Sequence, residues 1–400
     1  MGKISHDAMR LAEHVAGRQL DPARASDLYS ETEGNPLFVV EMVRAGSVEQ
    51  PMTEQGVVET PLPLLTCLVS TLPPTVQTVL AARLAQLSPS ARELANLAAV
   101  MGRAFSLDVL AHASDEGEGA LVRDLDELWQ RRIVREQGGD AYDFSHDKLR
   151  EQAYTSLSTV HRRLLHRRVA EALEAVYADT PDVGSLQVAV HYERAGLLWK
   201  AIAWYQRAGE VASRIAANAE AIDAYQQAAA LLEASGGAPA PQDWQWDIAA
   251  QVYTHLGDLL GMTGRAQEAR QVYQQGRMHI PAQAFLWQAH VQRKIAKTWN
   301  HPCTLETLLR GYTEAERILE QAPDRASLQW HQEWLDIQLD QLLPLQLHRI
   351  SVQQMNEMLE KIQPIVEQYG TAAQQAQFFL SAAARNMARD RSLVSEETVA

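Results

Sequence analysis

The sequence predicts a mainly α-helical chain: a short helical segment, three helices closed by a small β-hairpin, then a long array of paired helices. Three observations predict this. Ser-Pro and Asp-Pro capping signals open one amphipathic segment after another. Two short strand-like runs, Ile133–Glu136 and Tyr142–Ser145, flank Gly138-Gly139-Asp140 and read as a hairpin. From about residue 186 small and aromatic residues return at a fixed spacing, as they do in helical repeats.

The elements follow in order. Met9 to Ala16 is amphipathic. Asp21-Pro22 caps a helix that runs to about Ser30. Gly34 closes it, and Asn35-Pro36 opens the next in "TEGNPLFVVEMVR", whose apolar start belongs against a partner surface. Residues 46–63 are polar with Pro and Gly, and mark a linker. Helices are expected at about 73–87 and 88–101. "SLDVLAHAS" gives a short helix, and "GALVRDLDELWQRRIV" a longer one with Leu121, Leu125 and Leu128 on one face. With the hairpin, this is the layout of a winged helix. A further helix opens at "HDKLREQAYTSL" and continues into "HRRLLHRRVAEALEAVY".

In the array, Tyr192, Gly196, Ala201, Tyr205 and Ala208 share their spacing with Leu260, Gly264, Ala269, Tyr273 and Gly276. This is the tetratricopeptide pattern: small residues let paired helices approach and tyrosine fills the adjoining groove. Ala221, Tyr225 and Ala228 echo it after a segment too short for a full helix pair, so their register stays open. Ala315, Leu319 and Ala322 with Pro323 give a weaker copy. Helices at about 326–343, 351–369 and 371–389 complete the chain, which reads as part of something longer at both ends. The domains are expected at 1–60, 61–165 and 166–400.

Composition bounds the function. The chain has 400 residues, 46% hydrophobic and 22% charged, with a formal charge of −14. That charge disfavours a general nucleic-acid or anionic-membrane binder. Cys67 and Cys303 form no CxxC pair, which fits a reducing cytoplasm. There is no secretory signal and no apolar run of membrane-spanning length. "MGKIS" lacks the glycine-rich loop of a phosphate-binding GxxxxGK[ST], and the string occurs nowhere else.

Taken together, "TEGNPLFVVEMV", the hairpin followed by "FSHDKLREQAY" and the repeats resemble the signal-transduction ATPases with numerous domains. The narrower likeness is to the bacterial branch of maltose-regulator-like and LuxR-type regulators and multidomain predicted ATPases. The resemblance implies that Gly34, Asn35 and Pro36 lie in the helical lid of a nucleotide-binding module, with Pro36 near the adenine. It implies that Ser145-His146-Asp147 matches a Met-His-Asp-like motif, Ser standing for Met, whose histidine reaches the β-phosphate of ADP. It also implies a Walker A loop, a Walker B acid and a Rossmann-like sheet upstream of Met1, and an output domain outside this chain. ADP or ATP with Mg is then expected for the intact parent, none for this chain alone, and the chain is not expected to be an enzyme by itself.

Each signal has a plainer reading. Gly34-Asn35-Pro36 makes a good helix–helix turn with no ligand. His146 opens a helix, where an anion or a simple junction would suit it equally. Arg162, Arg163, Arg167 and Arg168 favour a solvated face over a phosphate site. The candidate recognition helix carries Glu118, Asp124, Asp126 and Glu127 against Arg123, Arg131 and Arg132, which opposes direct DNA contact. Of Trp199, Trp204, Trp244, Trp246, Trp287, Trp299, Trp330 and Trp334, most are expected to pack between helices, with one or two left to anchor a partner protein or small inducer. The preferred function is the regulatory and sensor portion of a bacterial signalling ATPase. The alternative is an interaction scaffold with no nucleotide role.

Overall fold

The computed structural model describes residues 2–17, 19–21, 28–29, 32, 36–44, 74–139, 141–235, 246–299, 305–347 and 352–383. The chain divides into two compact units: Met1–Pro181 with Arg194–Gly196, and Asp182–Glu193 with Leu197–Ala400.

The first unit opens with α1 (Gly2–Ala16) and α2 (Pro36–Arg44), which pack together. Their buried contacts include Ala12, Val39 and Met42. Gly34, Asn35 and the 46–63 linker lie outside the described residues, as does most of the expected helix from Asp21 to Ser30. Next come α3 (Pro74–Ala85) and α4 (Pro89–Met101). Ser88 caps α4 by accepting from the Ala91 amide at 3.2 Å, with Pro89 in the first turn.

The chain then runs through β1 (Ala104–Ser106), α5 (Leu107–Ala113), α6 (Glu118–Gln130), β2 (Val134–Gly138) and β3 (Ala141–Phe144). The three strands form an antiparallel sheet in the order β1-β3-β2. The expected hairpin is present, and a third strand joins its far edge. Three residues are too few to show alternation, so β1 is not legible in sequence; pairing with β3 creates it. Asp143 on the central strand is buried and accepts from Arg135 at 3.0 Å and Gln137 at 2.9 Å. Gly138 and Gly139 take φ of 93° and 62° at the hairpin, a region that glycine enters without strain. Helices α7 (Asp147–Thr155) and α8 (Thr159–Val176) finish this unit, and α4 packs against α6, α7 and α8.

The second unit is the helical array: α9 (Ser185–Ala195), α10 (Leu198–Arg214), α11 (Asn218–Ala234), α12 (Trp246–Met262), α13 (Ala266–His279), α14 (Phe285–Lys297), α15 (Leu305–Leu319), α16 (Leu328–Leu347), α17 (Val352–Tyr369) and a last helix, α18, over 372–383. The α9 helix gives its final residues to the first unit. Hairpins form between α10 and α11, α12 and α13, and α14 and α15. The echo at Ala221, Tyr225 and Ala228 is therefore a true hairpin partner. Helix α10 carries two signatures at once: Ala201, Tyr205 and Ala208 in the style of a second helix, and Gly209 in the style of a first. In the weaker copy Ala315, Leu319 and Ala322 are all buried, and Pro323 follows the end of the helix at Leu319. A further close approach lies at Gly311, where a Cβ would sit 2.8 Å from that of Ala296, beside buried Tyr312.

Candidate functional site

The sequence singles out residues in the first unit. Pro36 is the first residue of α2 and is exposed. His146 is the N-cap of α7, directly after β3, with φ −145° and ψ 133°; its side chain does not cap the helix. Helix α3 packs against both α2 and α7. No described contact brings Pro36 and His146 together.

The junction that carries His146 is fixed by hydrogen bonds from its neighbour Ser145. Ser145 donates its hydroxyl to the Arg132 carbonyl at 2.6 Å and its amide to Ile133 at 2.9 Å. These bonds seat the β3–α7 junction against the end of α6. There the Arg83 guanidinium spans the carbonyls of Arg131 and Arg132 at 3.0 and 3.3 Å. Asp147, which would repel an anion, is paired with Arg150 at 2.9 Å. His146 thus stands at the N-terminal, positive end of α7, beside an Asp147 that is paired with Arg150.

Other charged signals are absorbed by structure. On α8, Arg167 pairs with Glu171 at 2.8 Å, Arg168 pairs with Asp115, and Arg162 donates to the Leu157 carbonyl while lying over Tyr154. On α6, Asp124 accepts from Ser90 and Glu127 from Ser88, so both carboxylates face α4. The exposed face of α6 instead shows Val122 and Trp129.

Two clefts among the described residues of the array are each lined by a tryptophan that the sequence offered as an anchor. The larger, about 870 Å³ and open to solvent, runs across α10, α11 and α12 and is lined by Trp204, Arg207, Glu210, Tyr225, His255 and Asp258. Tyr225 meets His255 Nδ1 at 3.2 Å; Tyr273 donates to Asp258 at 2.6 Å. Burial holds His255 below the ordinary histidine range, toward its neutral form, against the pull of Asp258 and Glu210. The smaller, about 630 Å³, is lined by Trp287, His290, Glu333 and Asp336 beside the last helices. Periodicity could not find either cleft, because each gathers residues from helices far apart in sequence.

No protein-family model matches the chain. Over 281 residues, 68% of its length, the chain is 29% identical to an uncharacterized protein of Rhizobium meliloti (strain 1021). Among solved structures it is similar to a signal transduction ATPase with numerous domains carrying a tetratricopeptide repeat sensor, from Pyrococcus horikoshii. That match has 12% identity and a TM-score of 0.49, and covers 96% of this chain and 51% of the other. The chain thus spans about a quarter of the curated relative and about half of the solved chain. Among the described residues no cluster of His, Cys, Asp or Glu could hold a metal ion, and no helix is long and apolar enough to cross a membrane.

Proposed function

We propose that this chain is the regulatory and sensor portion of a bacterial, cytoplasmic signalling ATPase. In this reading the array binds a protein partner or small inducer. The α2 segment and the winged helix help to hold ADP in an off state. The ATPase core lies upstream and an output domain elsewhere, and the chain does no chemistry alone. The switch is a bistable contact biased by nucleotide on one side and by the array's ligand on the other.

The observation that carries the reading is the open 870 Å³ cleft on the array, a ligand-sized site with no catalytic constellation around it. The nucleotide half rests on the resemblance of "TEGNPLFVVEMV" and "FSHDKLREQAY", and on the N-terminal position of His146 on α7. With ADP bound, its diphosphate supplies the charge that His146 would meet, and Pro36 would line the base.

The test begins with the coding sequence upstream of Met1. An in-frame GxxxxGK[ST] between a strand and a helix supports the switch; a native start at Met1 favours the scaffold. Labelled ADP is then titrated against the full-length product and its His146→Ala variant. About tenfold weaker binding is expected, the worth of one charge-assisted hydrogen bond. Unchanged affinity removes His146 from the site.

A further inference from the structure

One oxygen of Asp124 has no donor. The residue lies on α6 and is only 7% exposed. Its Oδ1 accepts from the Ser90 hydroxyl of α4 at 2.9 Å, while its Oδ2 is buried and meets no hydrogen-bond donor. A buried acceptor calls for a partner. The group that reaches Asp124 is a second carboxyl, that of Glu116, in the loop between α5 and α6. Glu116 and Ser90 line one hollow of about 170 Å³, together with Glu93 of α4, Ser114 and Asp115 of the loop and Arg168 of α8. The cations around this hollow are engaged elsewhere: Arg168 pairs with Asp115, His161 meets Glu93 at 2.8 Å, and Arg131 pairs with Glu127 at 3.0 Å. Contact with Asp124 and then burial raise the Glu116 carboxyl above its ordinary range, against the pull of Arg123 on α6. Two ionised carboxylates in contact repel, whereas one proton between them makes a hydrogen bond.

We propose that Glu116 and Asp124 share one proton in acid, and that this proton latches the α5–α6 loop onto α6. Protonated Glu116 donates to the buried Oδ2 of Asp124, the atom that otherwise has no partner. The loop then has two tethers, Asp115 to Arg168 of α8 and Glu116 to Asp124 of α6. When the proton leaves to water, the second tether becomes a repulsion and the first remains. The folded Glu116 carboxyl is raised above its unfolded value, so its contribution is complete in acid and is lost as pH rises through the folded value. Glu127, on the same helix, has the opposite sign, because its carboxyl is depressed. The latch therefore tightens on acidification while the clamp at Ser88 loosens.

The experiment uses the whole chain and follows hydrogen exchange of the loop amides, with thermal melts alongside, from pH 8 down to pH 5. Glu116→Gln offers Asp124 an amide donor that does not titrate. At pH 8 its loop is expected to exchange roughly threefold more slowly than the parent's, the worth of one modest hydrogen bond, and to melt no earlier. The difference should shrink as pH falls and the parent gains its proton. Glu116→Ala has neither charge nor donor, and its loop should exchange faster than the parent's at pH 5. Equal exchange in parent and Glu116→Gln at every pH overturns the latch. So does a difference that grows on acidification, or a Glu116→Ala loop as protected as the parent's at pH 5. Millimolar calcium or magnesium chloride that slows exchange in the parent at pH 8, but not in Glu116→Gln, would show that a metal ion and not a proton joins the two carboxylates, and would overturn the proposal as well.

Discussion

Gly209 of α10 lies against the ring of Tyr225 on α11, so close that a Cβ there would sit 2.7 Å from two ring carbons. Gly257 and Tyr273 repeat this between α12 and α13, again sixteen residues apart, and a Cβ at Gly257 would overlap the ring. Neither glycine has positive φ, so both serve packing and not a turn. Each tyrosine crosses its glycine to reach a polar group, His255 or Asp258. The hairpins and the cleft wall are thereby one construction.

Gly209→Ala is expected to destabilise the array by about 1–2 kcal/mol, the cost of overpacking less the gain in helix propensity. Gly261→Ala is the control. It sits in α12 with nothing within 4 Å of its added Cβ, so it should gain up to about 1 kcal/mol. Urea denaturation followed by circular dichroism checks both. Equal midpoints for the two variants would show that Tyr225 moves aside freely, and the packing account would fail.

Ala216 holds a left-handed backbone with φ 58°, where the equivalent turns have Gly196 at 79° and Gly264 at 81°. The three turns share one helix-end bond: Leu197 to Tyr192, Ala217 to Ala212 and Arg265 to Leu260, at 2.8–2.9 Å. Alanine pays about 1–2 kcal/mol there, and glycine recovers part of it after its larger entropy in the unfolded chain. Ala216→Gly should therefore raise stability by about 0.5–1 kcal/mol, read as a higher melting temperature. A lower one would mean that the α10–α11 turn is not strained.

Much of this fold is legible in sequence because caps and small-residue spacing are local. Ser88-Pro89 gives the start of α4, and Gly138-Gly139 gives the hairpin. What is hidden is whatever a distant element decides. Strand β1 exists because β3 is beside it. Helix α10 belongs to two patterns, so reading it only as a second helix leaves the register of α11 open. Of the site, His146 at a helix start could be read directly, while Gly34 and Asn35 lie outside the described residues. The α10–α12 cleft could not be read, since its Glu210 lies on α10 and its His255 on α12.

Glu127 clamps α6 to the start of α4. It accepts the Ser88 amide at 3.1 Å and hydroxyl at 2.7 Å, and these bonds hold its carboxyl below the usual range. Glu127→Gln can offer one acceptor where two are used, and should cost about 1 kcal/mol in chemical denaturation. Because the folded carboxyl is depressed, this contribution is present above the unfolded value and fades as pH falls. A variant equal to the parent at pH 7 would show that the clamp is incidental.

Arg293 is buried in α14 among three carboxylates: Glu333 at 2.8 Å, Asp336 at 3.1 Å and Asp340 at 2.7 Å. Burial pushes Glu333 up, but Arg293 and His290 outweigh it and hold the group at about 2. Burial likewise pushes Asp340 up, and Arg293 with Lys297 brings it below the ordinary range. Stability from Glu333 is therefore complete above its unfolded value near 4.5 and lost as pH falls toward 2. Arg293→Met leaves these carboxylates buried without their main counter-charge, at a cost of about 3–5 kcal/mol at pH 7. In that variant burial raises their folded pKa values above the unfolded ones, so protonation relieves it. The gap between parent and variant should narrow as pH is lowered from 7 to 4, measured as urea midpoints across that range. A gap that is constant or widens on acidification would show that Arg293 supports α14 and α16 by packing and not as a counter-charge.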